Sequence, residues 1–166
     1  MIDYLYAISK ILFSKKQSRT YYSQFGEDAV LRHLIGKRHP KGSYLDIGCY
    51  HPKKHSNTYF LYKLGWSGML VDVEKAKLIA CKMIRPRDKT LLCAVSNEKG
   101  TVPFFAPKKY SVLTSLIKIN DKFKQIGTVK QKTISQIIDV DLHGSCPTVL
   151  SIDIEGKDYD AIRGIN

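Results

Sequence analysis

The sequence predicts an α/β fold: an open, Rossmann-like sheet of parallel strands with helices on both faces, in a three-layer α/β/α arrangement. Three observations carry this prediction. Short apolar runs at residues 44–47, 69–73, 90–95 and 148–154 alternate with stretches of helical periodicity. The runs are nearly continuous in apolar character, as strands covered on both faces require. Three of them carry an acid near the carboxyl end, Asp46, Asp72 and Asp153. In an open α/β sheet, ligands bind in the crevice beyond those ends. Two carboxylates at neighbouring strand ends, with Gly48 where the backbone must come close, suit a nucleoside that carries an amino group. S-adenosylmethionine is the ligand this pattern suggests.

Taken in order, the chain divides into an N-terminal helical segment over residues 1–41, packing on the core, and a binding domain over 42–166. Residues 3–14 place Leu5, Ile8, Ile11 and Leu12 at helical spacing, and a basic connector follows. A second helix is expected over 29–35, led by Glu27 and Asp28, which complement the positive end of the helix dipole. Gly36 suits its stop, and residues 40–42 form a turn. The first strand comes next. Ser56, Asn57 and Thr58 are N-cap candidates for a helix that buries Phe60, Leu61 and Leu64 and ends at Gly65. The strand at 69–73 leads to a helix over 75–84, which Pro86 breaks. The run at 90–95 reads as one strand buried on both faces, and Pro103 marks 101–105 as an edge strand. Residues 106–127 carry little pattern beyond Leu113, Leu116 and Ile119, which fit a turn or two of helix. A segment of that length between strands is more often functional than idle. An edge strand at 128–132, a Thr-capped helix at 133–138 and the last strand complete the order. The chain reaches Asn166 partway into the next expected helix, so the domain reads as incomplete at its C-terminus.

Composition narrows the class. With 43% hydrophobic and 25% charged residues, the chain has the balance of a soluble globular domain. Four cysteines without a Cys-x-x-Cys pair give no zinc signal, and they fit a reducing, cytoplasmic compartment. The apolar start carries Asp3 and Lys10, which makes it a poor signal peptide, and it is too short to span a bilayer. With Lys15, Lys16 and Arg19 behind it, peripheral membrane contact stays open beside the simpler reading of a helix packed on its own domain. The formal charge of +12 favours polyanionic partners, although the Lys and Arg are scattered rather than run together.

Six short segments recur in a telling order: Ser23-Gln24-Phe25-Gly26-Glu27-Asp28, Leu45-Asp46-Ile47-Gly48-Cys49-Tyr50-His51-Pro52, Ser56-Asn57-Thr58-Tyr59, Gly65-Trp66-Ser67-Gly68, Arg85-Pro86-Arg87-Asp88 and Ile152-Asp153-Ile154-Glu155-Gly156. In this series the chain resembles the FkbM family of S-adenosylmethionine-dependent methyltransferases, from about Tyr21 onward. The resemblance implies a class I methyltransferase sheet and methyl transfer to a hydroxyl, often on a sugar or polyketide. It also places Gln24 and Gly26 near the cofactor.

The residues themselves support particular roles. Gly48 lets the loop turn tightly, with Tyr50 following in the same loop. Asp46 is expected to accept from the methionyl ammonium, and Asp72 from both ribose hydroxyls. Val73, Val95 and Ser96 are expected beside the adenine, and Asn57 near the cofactor carboxylate, where N-capping is the alternative. Along a strand, residues 153 and 155 project on one face. Glu155 is the candidate general base, Asp153 serves the methionyl side, and His51 and His55 are further candidates for the base. A carboxylate metal site is an alternative, but no metal is expected.

The reading that results is an O-methyltransferase acting on a hydroxylated small molecule or glycan. A nucleic-acid methyltransferase is the competing class, prompted by the charge. The fourth strand ends in Asp-Ile-Glu-Gly rather than the Asn/Asp-Pro-Pro-aromatic tetrad of amine-directed DNA enzymes, and no basic aromatic stripe offers base stacking. An inactive cofactor-binding fragment is the third reading.

Overall fold

The computed structural model describes residues 20–35, 41–108, 111 and 113–165. The helix expected over 3–14, its basic connector and membrane-contact reading, and the stop and turn around 36–40 lie outside the described residues. The element order is α1 (Glu27–Ile35), β1 (Ser43–Ile47), α2 (Tyr59–Lys63), β2 (Ser67–Asp72), α3 (Lys75–Ile84), β3 (Lys89–Leu92), β4 (Ala94–Val95), β5 (Gly100–Ala106), β6 (Lys124–Lys132), α4 (Ile134–Gln136) with a π turn (Ile137–Asp141), β7 (Val149–Ile152) and α5 (Asp158–Arg163).

Four strands form one parallel sheet in the order β3-β2-β1-β7. Side chains alternate between its faces. Tyr44, Leu70 and Val149 pack on one side with Ile35 of α1, Phe60 and Leu61 of α2, Leu78 and Cys81 of α3, and Trp66. Leu45, Ile47, Met69 and Val71 pack on the other with Ile134, Ile137 and Ala161. Helical segments thus cover both faces, which is why β1 and β2 read as unbroken apolar runs. Each large aliphatic side chain buried in this way contributes about 1.5–3 kcal/mol. Among the described residues, no helix is long and apolar enough to cross a membrane.

A second sheet, in the order β4-β6-β5, corrects three expectations. The run at 90–95 is not one strand buried on both faces. It breaks at Cys93 into β3, the largely exposed edge of the parallel sheet, and β4, which is buried and pairs with β6. Nor is β6 an edge strand. It spans nine residues and lies between parallel β4 and antiparallel β5. Finally, the described part of 107–123 forms no helix; Ser115 makes an antiparallel bridge with Phe105 instead. Pro103 sits on β5, the edge of the second sheet, as its missing N–H requires. Thr133 caps α4 reciprocally: its hydroxyl accepts from Gln136 N, and the Gln136 side chain accepts from Thr133 N.

Candidate functional site

The parallel sheet ends in a cleft, open to solvent, beyond the carboxyl ends of β1, β2 and β7. Ile47, Gly48 and Tyr50 form its floor, and Asp72, Val73 and Lys77 one wall. Asp153, Ile154 and Glu155 come from the turn after β7. Cys93, Ala94 and Val95, with Thr114, Ser115 and Leu116 of the segment after β5, close the remaining side. The second sheet therefore completes a site that the first one begins.

Asp72 is the last residue of β2 and is buried, only 7% exposed. Its Oδ1 accepts from Glu74 N at 2.9 Å and its Oδ2 from Tyr50 N at 3.2 Å. Burial raises its pKa above the usual carboxylate range, against the opposing pull of the Lys77 ammonium, whose Nζ lies 4.0 Å from Oδ1. An ionised carboxylate offers about four acceptor positions. Beyond these two amides, capacity remains for a ligand diol.

Gly48 has φ +82°, and a Cβ there would lie 1.9 Å from the carbonyl oxygen of Asp153. The backbones after β1 and β7 touch at this point, so only glycine fits. Tyr50, at φ +42°, holds a left-handed conformation that side chains adopt at a cost of about 1–3 kcal/mol. Its amide donates to Asp72.

Asp153 and Glu155 both border the cleft, though not by strand alternation. Strand β7 ends at Ile152, and Glu155 has φ +50° in the turn that follows. The turn, braced by Asp158 Oδ1 accepting from Ile154 N at 3.0 Å, brings the two acids together. Both carboxyls are pushed above their ordinary pKa, Asp153 by burial, Asp158 and Glu27, and Glu155 by burial, Asp153 and Asp158. Among the described residues, no group of three or more His, Cys, Asp or Glu side chains could hold a metal ion.

Other candidates lie elsewhere. Asp46 does not border the cleft: its carboxylate is buried and accepts from the Thr58 hydroxyl. Burial raises its pKa, opposed chiefly by the Arg85 guanidinium. Arg85, itself fully buried, bonds Asp88 through Nε at 2.6 Å, Thr58 at 2.9 Å and Ser56 at 3.3 Å. The Tyr44 hydroxyl and Gly68 N also donate to Asp88. Asn57 donates to Ser151 Oγ at 3.3 Å, while Ser56 Oγ accepts from Tyr59 N at the start of α2. Ser96 turns toward the second sheet, its N donating to Lys132 O. Gln24 is exposed, and the Gly26 carbonyl accepts from Ala29 N at the start of α1. His51 also lies off the cleft. Its Nδ1 accepts from Lys53 N and Lys54 N, and burial beside Lys54, His55 and Lys53 lowers its pKa. The His55 Nδ1 is buried without a hydrogen-bond partner among the described residues.

The family model for the methyltransferase FkbM domain matches residues 46–166, well over half of the chain. The chain belongs to the FkbM methyltransferase family. No curated protein and no solved structure matches it. The FkbM match begins at Asp46 and takes in every residue that lines the cleft, while Gln24 and Gly26 precede it.

Sequence reasoning missed Lys77, Thr114, Ser115 and Leu116. Lys77 carried a signal, because it stands four residues before Cys81 and next to Leu78 on the buried stripe of α3. The other three lie in the stretch of little pattern, where length marked a role; Leu116 stood at helical spacing with Leu113 and Ile119, which suggested a turn of helix rather than a site residue.

Proposed function

We propose that this FkbM protein is an S-adenosylmethionine-dependent O-methyltransferase on a Rossmann-like sheet, with its cofactor in the cleft beyond β1, β2 and β7. The observation that carries the reading is Asp72, a buried carboxylate at a strand end, oriented by two backbone amides and facing a cleft with capacity left for a diol. The residues present fit the cofactor. Val73, Val95 and Leu116 give apolar surface for a purine, and Asp153 offers a carboxylate to a cationic amino-acid end.

When bound, S-adenosylmethionine would supply its sulfonium methyl group to the oxygen of an acceptor hydroxyl, leaving as S-adenosylhomocysteine. The chain's part is to orient and to exclude water. Asp72 holds the ribose, Gly48 allows the two loop backbones to close together, and Glu155 takes the proton of the acceptor hydroxyl. Its raised pKa suits a base working closer to neutrality. The acceptor class, a sugar, glycan or similar hydroxylated metabolite, rests on the family resemblance.

Calorimetric titration with S-adenosylmethionine tests the reading. Asp72→Ala should weaken binding about tenfold or more, since hydrogen bonds to a charged group contribute about 1.5–3 kcal/mol. An unchanged affinity would remove Asp72 from the ribose.

A further inference from the structure

We infer that Lys77 is a positioning residue of the cofactor site, locking the Asp72 carboxylate into its hydroxyl-accepting orientation and latching residues 113–116 over the same wall. The inference rests on the reading of the cleft as a nucleoside site. Lys77 stands in the first turn of α3 with its side chain 5% exposed. A lysine so placed is stable only if its ammonium finds partners. It finds three: Glu74 Oε1 at 2.8 Å, Thr114 Oγ1 at 2.9 Å and Asp72 Oδ1 at 4.0 Å. It also lies 5.3 Å from the ring centroid of Tyr50, whose amide holds the other Asp72 oxygen.

The Thr114 hydroxyl in turn donates to Glu74 Oε1 at 2.6 Å, so Glu74, Lys77 and Thr114 form a closed ring of contacts. Three elements meet there: the end of β2, the start of α3 and the segment after β5. The groups around Asp72 are Cys49 and Tyr50 from the loop after β1, Glu74 and Lys77 from the start of α3, and Asp153 and Glu155 across the cleft. Lys77 is the cation of that set. Without it, Asp72 would share a desolvated corner with Glu74 and take up a proton at higher pH. A protonated Asp72 loses one of the acceptor positions a diol needs.

The test is the pH dependence of S-adenosylmethionine binding by the whole chain, read by calorimetry for wild type, Lys77→Met and Lys77→Arg. Lys77→Met should weaken binding near neutrality about tenfold, and the pH below which affinity falls should rise by about one unit. Lys77→Arg keeps the charge and should keep the wild-type limb. Should Lys77→Met fail to fold, the arginine variant decides alone, and a limb displaced upward there would overturn the inference. Wild-type binding matched by Lys77→Met at every pH would overturn it while leaving the cofactor site standing. Failure of the wild type to bind would remove the site and this inference together.

Discussion

Two sets of carboxylates near the strand ends of the parallel sheet differ in what surrounds them. Asp46 and Asp88 lie in a closed polar core with Tyr44, Thr58 and Arg85, where each acid has donors from the chain itself. Asp72, Asp153 and Glu155 border an open cleft. Asp46 and Asp72 occupy strand ends that look alike in sequence, and depth along the sheet separates them. Asp46 pairs with Leu70 and Ser151, whereas Asp72 lies two residue levels further out, roughly 6–7 Å. That distance is enough to place one acid inside the protein and the other at a ligand. The Ser-Asn-Thr and Arg-Pro-Arg-Asp segments serve the first region, holding β1, β2 and α2 together around a buried ion pair.

Four substitutions separate the two regions. The largest effect belongs to the closed core. Arg85→Ala would leave Asp88 buried without its cation and should cost about 3–5 kcal/mol of stability in urea unfolding. A loss far below that range would mean that the network is loosely held. In the cleft, Glu155→Gln should fold normally and slow formation of S-adenosylhomocysteine with sugar acceptors about a hundredfold. Because the Glu155 pKa is raised and a base must be ionised, wild-type activity should fall as pH drops, and from a higher pH than an ordinary carboxylate would give. Asp153→Asn removes a neighbouring charge and should move that limb down. A limb that stays in place would dismiss Glu155 as the base. The smallest effect is expected at Asp46→Asn, about 1 kcal/mol of stability with cofactor affinity unchanged. An affinity loss equal to that of Asp72→Ala would merge the two regions into one site.

Much of this was legible in the sequence. The parallel sheet followed from apolar runs and helical spacing, because strands covered on both faces leave that signature directly. Gly48, Asp72 and Val95 could be placed at the cleft because each stands at or just beyond a strand end. Asp46 could not be told from Asp72, since register against neighbouring strands decides depth and one strand's residues do not reveal it. Asp153 and Glu155 reached the cleft through a turn in which Glu155 takes a positive φ, which no pattern of residue types announces. The break at Cys93 was hidden for a related reason. A six-residue apolar run looks the same whether it serves one sheet or two.

That break has a mechanical meaning. Cys93 is a single residue between two hydrogen-bonded sheets, and the cleft lies across the seam it makes. A molecule lodged there would touch β1, β2 and the turn after β7 on one side and β4 with residues 114–116 on the other. It would act as a rivet between two plates that the backbone joins directly at Cys93 and again through α4 and the π turn. Its binding free energy adds to the cohesion of the whole domain as well as to occupancy of the site.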